Sequence, residues 1–257
     1  MKRIKKTKII ATLGPATSSV ESIESLIREG VDVLRINFSH TTHREAENII
    51  KEIRKINDSL SANTAILADL QGPKLRIGEV SENTELYDGD NIIIKTGKEF
   101  KGDNKTLYLS YNNLAKDIKK GEKILIDDGK IILKVIDINK KNQIIAEVIQ
   151  GGILSSNKGF NLPNTNISQP ALTEKDIEDA IFSAKQNVDW IALSFVRHGS
   201  DIESLIKLLD KNTNHRIPVI AKIEKPEGVR NIDEIMKYAS GIMVARGDLG
   251  VEINAAE

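Results

Sequence analysis

An alternation of continuous apolar runs with amphipathic segments constrains the fold of this chain more than any other feature. The apolar runs have the length of strands and occupy residues 8–13, 32–38, 64–69, 189–195, 218–223 and 241–246. Strands that are buried on both faces read as continuous apolar runs, whereas strands with one solvated face alternate between apolar and polar residues. The pattern therefore predicts parallel strands that are covered by helices.

Three positions have the signature of a helix start, in which a serine or threonine precedes an acidic residue by three positions. The pairs are Ser18 with Glu21, Thr173 with Asp176, and Ser200 with Glu203. Gly30 is placed to end the first helix, and a second helix has an apolar face between Ala46 and Leu60. The predicted helices thus fall between the apolar runs.

The stretch from about 75 to 162 consists instead of short Val- and Ile-rich runs that are separated by turn dipeptides. These dipeptides are Asp88-Gly89, Lys120-Gly121, Asp128-Gly129, Lys141-Asn142 and Gly151-Gly152. We predict a first barrel segment at 1–73, an inserted all-β, barrel-like domain at 74–163 and a second barrel segment at 164–257. The fold class is an α/β parallel barrel of the (β/α)8 type. Only six βα units are present, whereas closure of such a barrel normally needs eight strands, so we expect the last strands to be missing.

Composition excludes several classes of function. The 257 residues include no cysteine, which excludes disulfides, thiolate nucleophiles and Cys-ligated metal sites. The 37 Lys and Arg balance the 37 Asp and Glu, so no global charge attracts nucleic acid or a membrane surface. Neither a signal segment nor a membrane-spanning run of about 20 apolar residues is present. We expect a soluble, cytoplasmic protein that binds small molecules, with no nucleic acid and no membrane partner.

Polar and charged residues follow the apolar runs, which is where a parallel barrel places its chemistry. They are Arg35, Asn37, Ser39, Asp69, Ser194, Arg197, Lys222, Glu224, Arg246 and Asp248. A single one of them is most simply a solvated loop residue or a helix cap. Lys222 is different because it interrupts a run that reads as buried, and buried lysines are paired. The structural alternative is an ion pair of Lys222 with Glu224 or Asp248.

The set as a whole favours phosphoryl transfer. Glu224 and Asp248 offer hard carboxylate oxygens, which suit Mg²⁺ with water and substrate oxygens completing its coordination. Positive charge on Lys222, Arg35 and Arg76 suits a phosphorylated, carboxylated substrate. Phosphoryl transfer depends mainly on such positioning and charge stabilisation rather than on a nucleophilic side chain. His40 and the Asp128-Gly129 turn are weaker signals with equally simple structural explanations.

Seven segments together resemble the pyruvate kinase family, over essentially the whole chain. They are KIIATLGPAT (8–17), RINFSH (35–40), DLQGPKLR (69–76), IDDG (126–129), SNKGFNLP (156–163), AKIEKPEG (221–228) and IMVARGDLGVEI (242–253). The resemblance implies transfer of a phosphoryl group from phosphoenolpyruvate to ADP, which yields pyruvate and ATP. It also implies that the inserted domain at 74–163 is a lid that closes over the barrel. For the full-length form it implies two more βα units and a C-terminal domain, which we expect to be missing here, and a homo-oligomer, a tetramer.

The resemblance also implies roles for individual residues. Arg35 and Lys222 are implied to be catalytic. The implied substrate contacts are Arg35, Lys222, Gly247 and Asp248. For the nucleotide, the implied contacts are Asn37, His40, Arg76, Lys158 and Asp128. For Mg²⁺ or Mn²⁺, the implied ligands are Glu224 and Asp248. For a monovalent cation, they are Asn37, Ser39, Asp69 and the Leu70 carbonyl.

Lys74 departs from the family, many members of which have glutamate there, and we expect it to replace K⁺. Two alternatives to pyruvate kinase activity stay open at this point. One is an Mg²⁺-dependent aldolase or lyase acting on 2-oxo acids, which would not need a nucleotide. The other is a non-catalytic fragment, because two barrel strands are missing; on that ground we expect residues 1–257 alone to be catalytically poor.

Overall fold

The computed structural model describes residues 6–253, which form two compact units. The first unit comprises the residues up to Gly72, Ala171–Ile223 and Glu227–Val244. The second comprises Pro73–Pro170, Glu224–Pro226 and the residues from Ala245 onward. The limits inferred from the sequence, 1–73, 74–163 and 164–257, stay a prediction.

Fourteen strands and eight helices account for the regular structure of the described residues. The first segment contains β1 (Ile10–Thr12), α1 (Val20–Arg28), β2 (Val33–Asn37), α2 (His43–Leu60) and β3 (Ala65–Asp69). The middle segment contains β4 (Glu85–Leu86), β5 (Asn91–Lys95), β6 (Thr106–Tyr108), α3 (Leu114–Asp117), β7 (Lys123–Ile126), β8 (Ile131–Ile138), β9 (Ile144–Gln150), β10 (Gly152–Ile153) and β11 (Phe160–Asn161). The last segment contains α4 (Glu174–Lys185), β12 (Trp190–Leu193), α5 (Gly199–Asp210), β13 (Val219–Ile223), α6 (Pro226–Arg230), α7 (Ile232–Ile235), β14 (Gly241–Val244) and α8 (Arg246–Glu252).

The first unit is built on a six-stranded sheet in the order β1-β2-β3-β12-β13-β14, and every neighbouring pair is parallel. Each strand lies inside one of the six apolar runs. Residues of both parities are buried along the inner strands, as Leu67 and Ala68 show in β3. The predicted α/β fold with a parallel sheet of barrel type is therefore confirmed.

One of the three predicted helix starts is confirmed and two are wrong. Thr173 and Asp176 form the capping box of α4. The cap of α1 is Ser19 rather than Ser18, since the Ser19 hydroxyl accepts from the Ser22 amide. Ser200 lies inside α5, because the Asp201 carboxylate accepts from the amides that precede that helix.

The second unit contains a mixed six-stranded sheet in the order β11-β7-β8-β9-β5-β6 and a two-stranded sheet of β4 and β10. Its strands enclose a continuous apolar core. The predicted all-β character is wrong in one detail, because the short helix α3 follows β6. The turn at Gly151 requires glycine, since a Cβ there would lie 2.0 Å from the Leu86 carbonyl oxygen.

Helix α2 has 18 residues, more than any other described helix, and it is amphipathic. None of the described helices has both the length and the apolar character needed to cross a bilayer.

Asp176 does more in the first unit than cap a helix. It is fully buried, and its carboxylate accepts from the Thr173 amide and hydroxyl and from the Gly72 amide. We expect Asp176→Ala to lower the free energy of unfolding by about 3 kcal/mol, because buried donors lose a charged partner. Glu45→Ala removes the matching acidic residue of the α2 capping box, which is exposed, and should cost much less. Urea denaturation followed by circular dichroism measures both; equal losses would contradict the argument.

Candidate active site

A buried carboxylate holds two cations together at the carboxyl ends of neighbouring strands of the first unit. Asp69, the last residue of β3, is 1% exposed. Its Oδ2 accepts from Arg35 Nε at 2.6 Å and pairs with the same guanidinium through NH2. Its Oδ1 lies 3.2 Å from Lys222 Nζ. Two cations therefore share one carboxylate.

Ser194 connects the Lys222 ammonium to the backbone of β3. Lys222 Nζ donates to Ser194 Oγ at 2.7 Å, and Ser194 Oγ donates to the Leu70 carbonyl at 2.7 Å. Gly72 lies against the same serine, because a Cβ at position 72 would be 2.8 Å from Ser194 Cβ. An ion pair of Lys222 with Glu224 or Asp248 was the structural alternative in the sequence analysis, and it stays a prediction. The pairing with Asp69 was missed, although Asp69 ends a strand at the same edge of the sheet.

A cavity of about 780 Å³ opens in the first unit and is connected to this cluster through Thr12. Arg35 NH1 donates to Thr12 Oγ1 at 2.9 Å, and Thr12 is one of the lining residues. The cavity wall is formed by Thr12, Leu13, Gly14, Pro15, Ser18, Asn37, His40, Thr41, Glu45, Asn48 and Ile49. Two predicted nucleotide contacts, Asn37 and His40, are therefore brought together in one wall.

Two kinds of hydrogen bond fix the loop after β2: one within the loop and one from a lysine of α4. Asn37 Oδ1 accepts from the Ser39 amide at 3.0 Å. Lys175 Nζ donates to the Phe38 carbonyl at 2.8 Å and to Asp179 Oδ2 at 2.6 Å. His43 Nε2 lies 2.7 Å from Asp179 Oδ1. The positions of the polar groups on this loop thus depend on buried Asp179.

Three of the four groups predicted to bind a monovalent cation have partners among the described residues. Asp69 pairs with Arg35 and Lys222, the Leu70 carbonyl accepts from Ser194, and Asn37 accepts from Ser39. Asp69 Oδ1 is buried and accepts no well-aligned hydrogen bond from the described residues, although it is in ion-pair contact. This oxygen has capacity for a further cation or donor. Lys74 itself is exposed.

The two predicted divalent-metal ligands belong to the second unit. Glu224 follows β13 directly and is 1% exposed, and Asp248 is half-buried in the first turn of α8 after β14. Within residues 6–253, no three His, Cys, Asp or Glu side chains gather as a complete metal cage. A pair of hard carboxylates fits Mg²⁺, which commonly takes one or two protein carboxylates and keeps several waters or substrate oxygens. Gly247 is exposed in the same helical turn.

The other predicted nucleotide residues lie in the second unit. Arg76 NH1 donates to the Asn157 carbonyl at 2.8 Å, next to Lys158. Lys158 Nζ lies 3.0 Å from Asp127 Oδ1. Hydrogen bonds from Lys130 and Lys158 lower the pKa of the Asp127 carboxyl below its ordinary value.

The turn that contains Asp127 has an unusual backbone. Asp127, Asp128 and Gly129 have φ angles of 52°, 57° and 85°, so all three lie in the left-handed region. Aspartate tolerates this region better than most residues do. The segment is therefore a hairpin turn, as its composition indicates, and it also presents two carboxylates beside two lysines.

Sequence reasoning missed several residues of this region. Thr12, Thr41, Glu45 and Asn48 line the cavity, and Ser194 links Lys222 to β3. Ser194 stood out in the sequence only as a polar residue after a strand. The spacing of Glu45 and Asn48 along α2 places them on one helix face, a signal that could have identified them.

Known proteins similar to this chain belong to one family. The family model described as pyruvate kinase, barrel domain, matches residues 4–257. The pyruvate kinase of Corynebacterium glutamicum is 44% identical over 253 residues, which are 98% of this chain and 53% of that protein. The pyruvate kinase of Staphylococcus haemolyticus is 39% identical over 97% of this chain and 43% of its own length.

A third relative, the pyruvate kinase of Geobacillus stearothermophilus, is 42% identical over 100% of this chain and 44% of its own length. The chain thus spans about half the length of the curated relatives it matches. A family model that covers nearly every residue, together with identities near 40%, decides the relationship: the chain belongs to the pyruvate kinase family.

Proposed function

We propose that the protein transfers the phosphoryl group of phosphoenolpyruvate to ADP and so produces pyruvate and ATP. The observation on which this rests is the cluster of Arg35, Asp69 and Lys222 beside a cavity of about 780 Å³. Membership of the pyruvate kinase family supports the same reaction. The activity is that of a phosphotransferase of glycolysis in the cytoplasm, and the complete protein is proposed to be a homo-oligomer, a tetramer.

The charge of the cluster fits the proposed substrate. Arg35 offers a planar set of N–H donors, which suits the oxygens of a phosphate. Lys222 is a compact cation that can stabilise charge on the phosphoryl group during transfer. Asp69 fixes both cations in advance, so little reorganisation is needed when the substrate binds. Gly247 and Asp248 are proposed as further substrate contacts.

Glu224 and Asp248 are proposed to hold Mg²⁺ or Mn²⁺. The bound ion would supply charge neutralisation for phosphate and carboxylate oxygens of the substrate. The contribution of the protein is to hold both carboxylates in place. A half-buried Asp248 and a buried Glu224 serve this role without any histidine or cysteine.

Asn37, His40, Arg76, Lys158 and Asp128 are proposed as nucleotide contacts because they match the family's motifs. Asn37 and His40 also line the cavity of the first unit. The Thr12 side of the cavity adjoins Arg35, which favours the phosphates of ADP at that end. Lys158 is paired with Asp127 in the structure. Contact with a diphosphate would replace this pairing by a stronger interaction with several oxygens.

An assay of the complete protein with phosphoenolpyruvate, ADP and Mg²⁺ tests the proposed function. Pyruvate and ATP should form in equal amounts, and omission of ADP should stop pyruvate formation. A metal-dependent lyase of 2-oxo acids would turn over without ADP. The absence of any ADP-dependent turnover would therefore contradict the proposal.

Replacement of Lys222 should separate catalysis from metal binding. Lys222→Met keeps the length of the side chain and removes its charge, while Arg35 still pairs with Asp69. We expect turnover to fall about 100- to 1,000-fold, as for loss of one electrostatic contact to a transition state. The dissociation constant for Mn²⁺ should stay within about twofold, since lysine is not a metal ligand. Lys207→Met, at an exposed ion pair in α5, is the matched control and should leave both values unchanged.

The carboxylate variants should show the opposite pattern. Glu224→Gln and Asp248→Asn each remove one anionic oxygen donor, so both should weaken Mn²⁺ binding by about tenfold or more. Electron paramagnetic resonance of free Mn²⁺ measures the affinity directly. Wild-type Mn²⁺ affinity in both variants would show that the metal is bound elsewhere.

We also propose that the enzyme does not need K⁺, because Lys74 supplies a positive charge close in sequence to the predicted cation ligands Asp69 and Leu70. Like charges repel each other, so an ammonium that approaches these ligands would disfavour a bound cation. The rate in potassium should equal that in tetramethylammonium at matched ionic strength. Lys74→Glu should create a dependence on K⁺, and strong K⁺ activation of the unmutated enzyme would refute the idea.

A further inference from the structure

A buried ion pair lies in the second unit next to one of the proposed metal ligands. Lys225 and Glu252 are 6% and 5% exposed, and the Lys225 ammonium donates to Glu252 Oε1. Lys225 follows Glu224 in the chain, and Glu252 is the last residue of α8, the helix that contains Asp248. The ion pair therefore joins the two segments that supply the proposed metal-binding carboxylates.

Asn161 fixes the same carboxylate from a third segment. Its Nδ2, at the end of β11, donates to Glu252 Oε1 at 2.8 Å. Glu252 Oε2 is buried and accepts no hydrogen bond from the described residues. Burial of a carboxylate with one oxygen unsatisfied is unfavourable, and a buried ion pair is often no more stable than apolar residues of the same volume. Stability alone is thus a poor explanation for this pair.

The charge of Lys225 suggests a different role for Glu252. An ammonium on the residue after Glu224 would, without a counter-ion, repel a divalent cation bound at that carboxylate. Pairing with Glu252 cancels the charge and fixes the ammonium in one direction. Asn161 prevents the Glu252 carboxylate from turning away.

We propose that Glu252 is a positioning residue, the counter-ion that neutralises Lys225 and so preserves the affinity of Glu224 and Asp248 for a divalent cation. The proposal rests on the proposed function in one respect, since it requires those two carboxylates to be the metal ligands. It assigns no direct metal contact to Glu252 or to Lys225.

Mn²⁺ titrations of the complete protein, followed by electron paramagnetic resonance, test the proposal in three variants. Glu252→Gln leaves the ammonium without a counter-ion and should weaken Mn²⁺ binding by about tenfold or more, the range for residues that support metal ligands. Lys225→Met removes the ammonium, so the Mn²⁺ dissociation constant should stay within about threefold of the wild-type value. The double variant Lys225→Met/Glu252→Gln should recover to the same range.

Thermal unfolding separates this effect from a merely structural one. Each single variant leaves a buried charge unpaired and should lower the melting temperature, whereas the double variant should not lower it as far. The melting temperature should therefore fall in both single variants, whereas the Mn²⁺ affinity should fall only in Glu252→Gln. Glu203→Gln breaks an exposed Lys–Glu pair of α5 and is the matched control, which should leave Mn²⁺ affinity unchanged.

Three results would overturn the proposal. They are wild-type Mn²⁺ affinity in Glu252→Gln, equal weakening in Glu252→Gln and the double variant, and weakened binding in Lys225→Met. If Glu252→Gln does not fold, Lys225→Met and the double variant still decide the question. Failure of the proposed function is distinct, because Glu224→Gln would then bind Mn²⁺ like the wild type.

Discussion

The buried carboxylate of Asp69 is the group on which the candidate active site depends. Burial of a carboxylate removes its hydration, and for Asp69, which is 1% exposed, Arg35 and Lys222 compensate from two other strands. If either Arg35 or Lys222 is removed, the other cation still pairs with Asp69. Removing Asp69 would leave two like charges facing each other in a buried place. The carboxylate therefore determines whether the two cations can be kept together before a substrate arrives.

The parallel sheet makes this arrangement possible. Strands β2, β3, β12 and β13 are consecutive neighbours, so their carboxyl ends lie along one edge. Arg35 comes from β2, Asp69 from β3, and Lys222 from β13, with Ser194 directly after β12 filling the gap between them. The close approach of Gly72 to Ser194 leaves no room for a side chain at position 72. Position 72 must therefore stay glycine for steric reasons, next to the serine that holds the Lys222 ammonium.

Local patterns predicted the strands well and the contacts between them poorly. A continuous apolar run is a property of each strand's own residues, so all six runs could be identified from the sequence, although the edge strands β1 and β14 are not fully buried. The pairing of Lys222 with Asp69 depends on strand order, which periodicity does not contain, so the sequence pointed only to Glu224 and Asp248, which are nearer in the chain. The helix starts at Ser19 and His198 were missed because neighbouring residues offered equally good capping patterns.

The hydrogen bond from Lys175 to the Phe38 carbonyl has a consequence for dynamics. It connects the loop after β2 to α4 through a lysine that also bonds buried Asp179, which in turn contacts His43 at the start of α2. Opening of the loop requires these contacts to break together, so protection of its amides from hydrogen exchange should follow the local stability of α4 rather than that of β2. We therefore expect the exposure of Asn37 and His40 in the cavity wall to depend on the stability of α4, none of whose residues is among those that line the cavity.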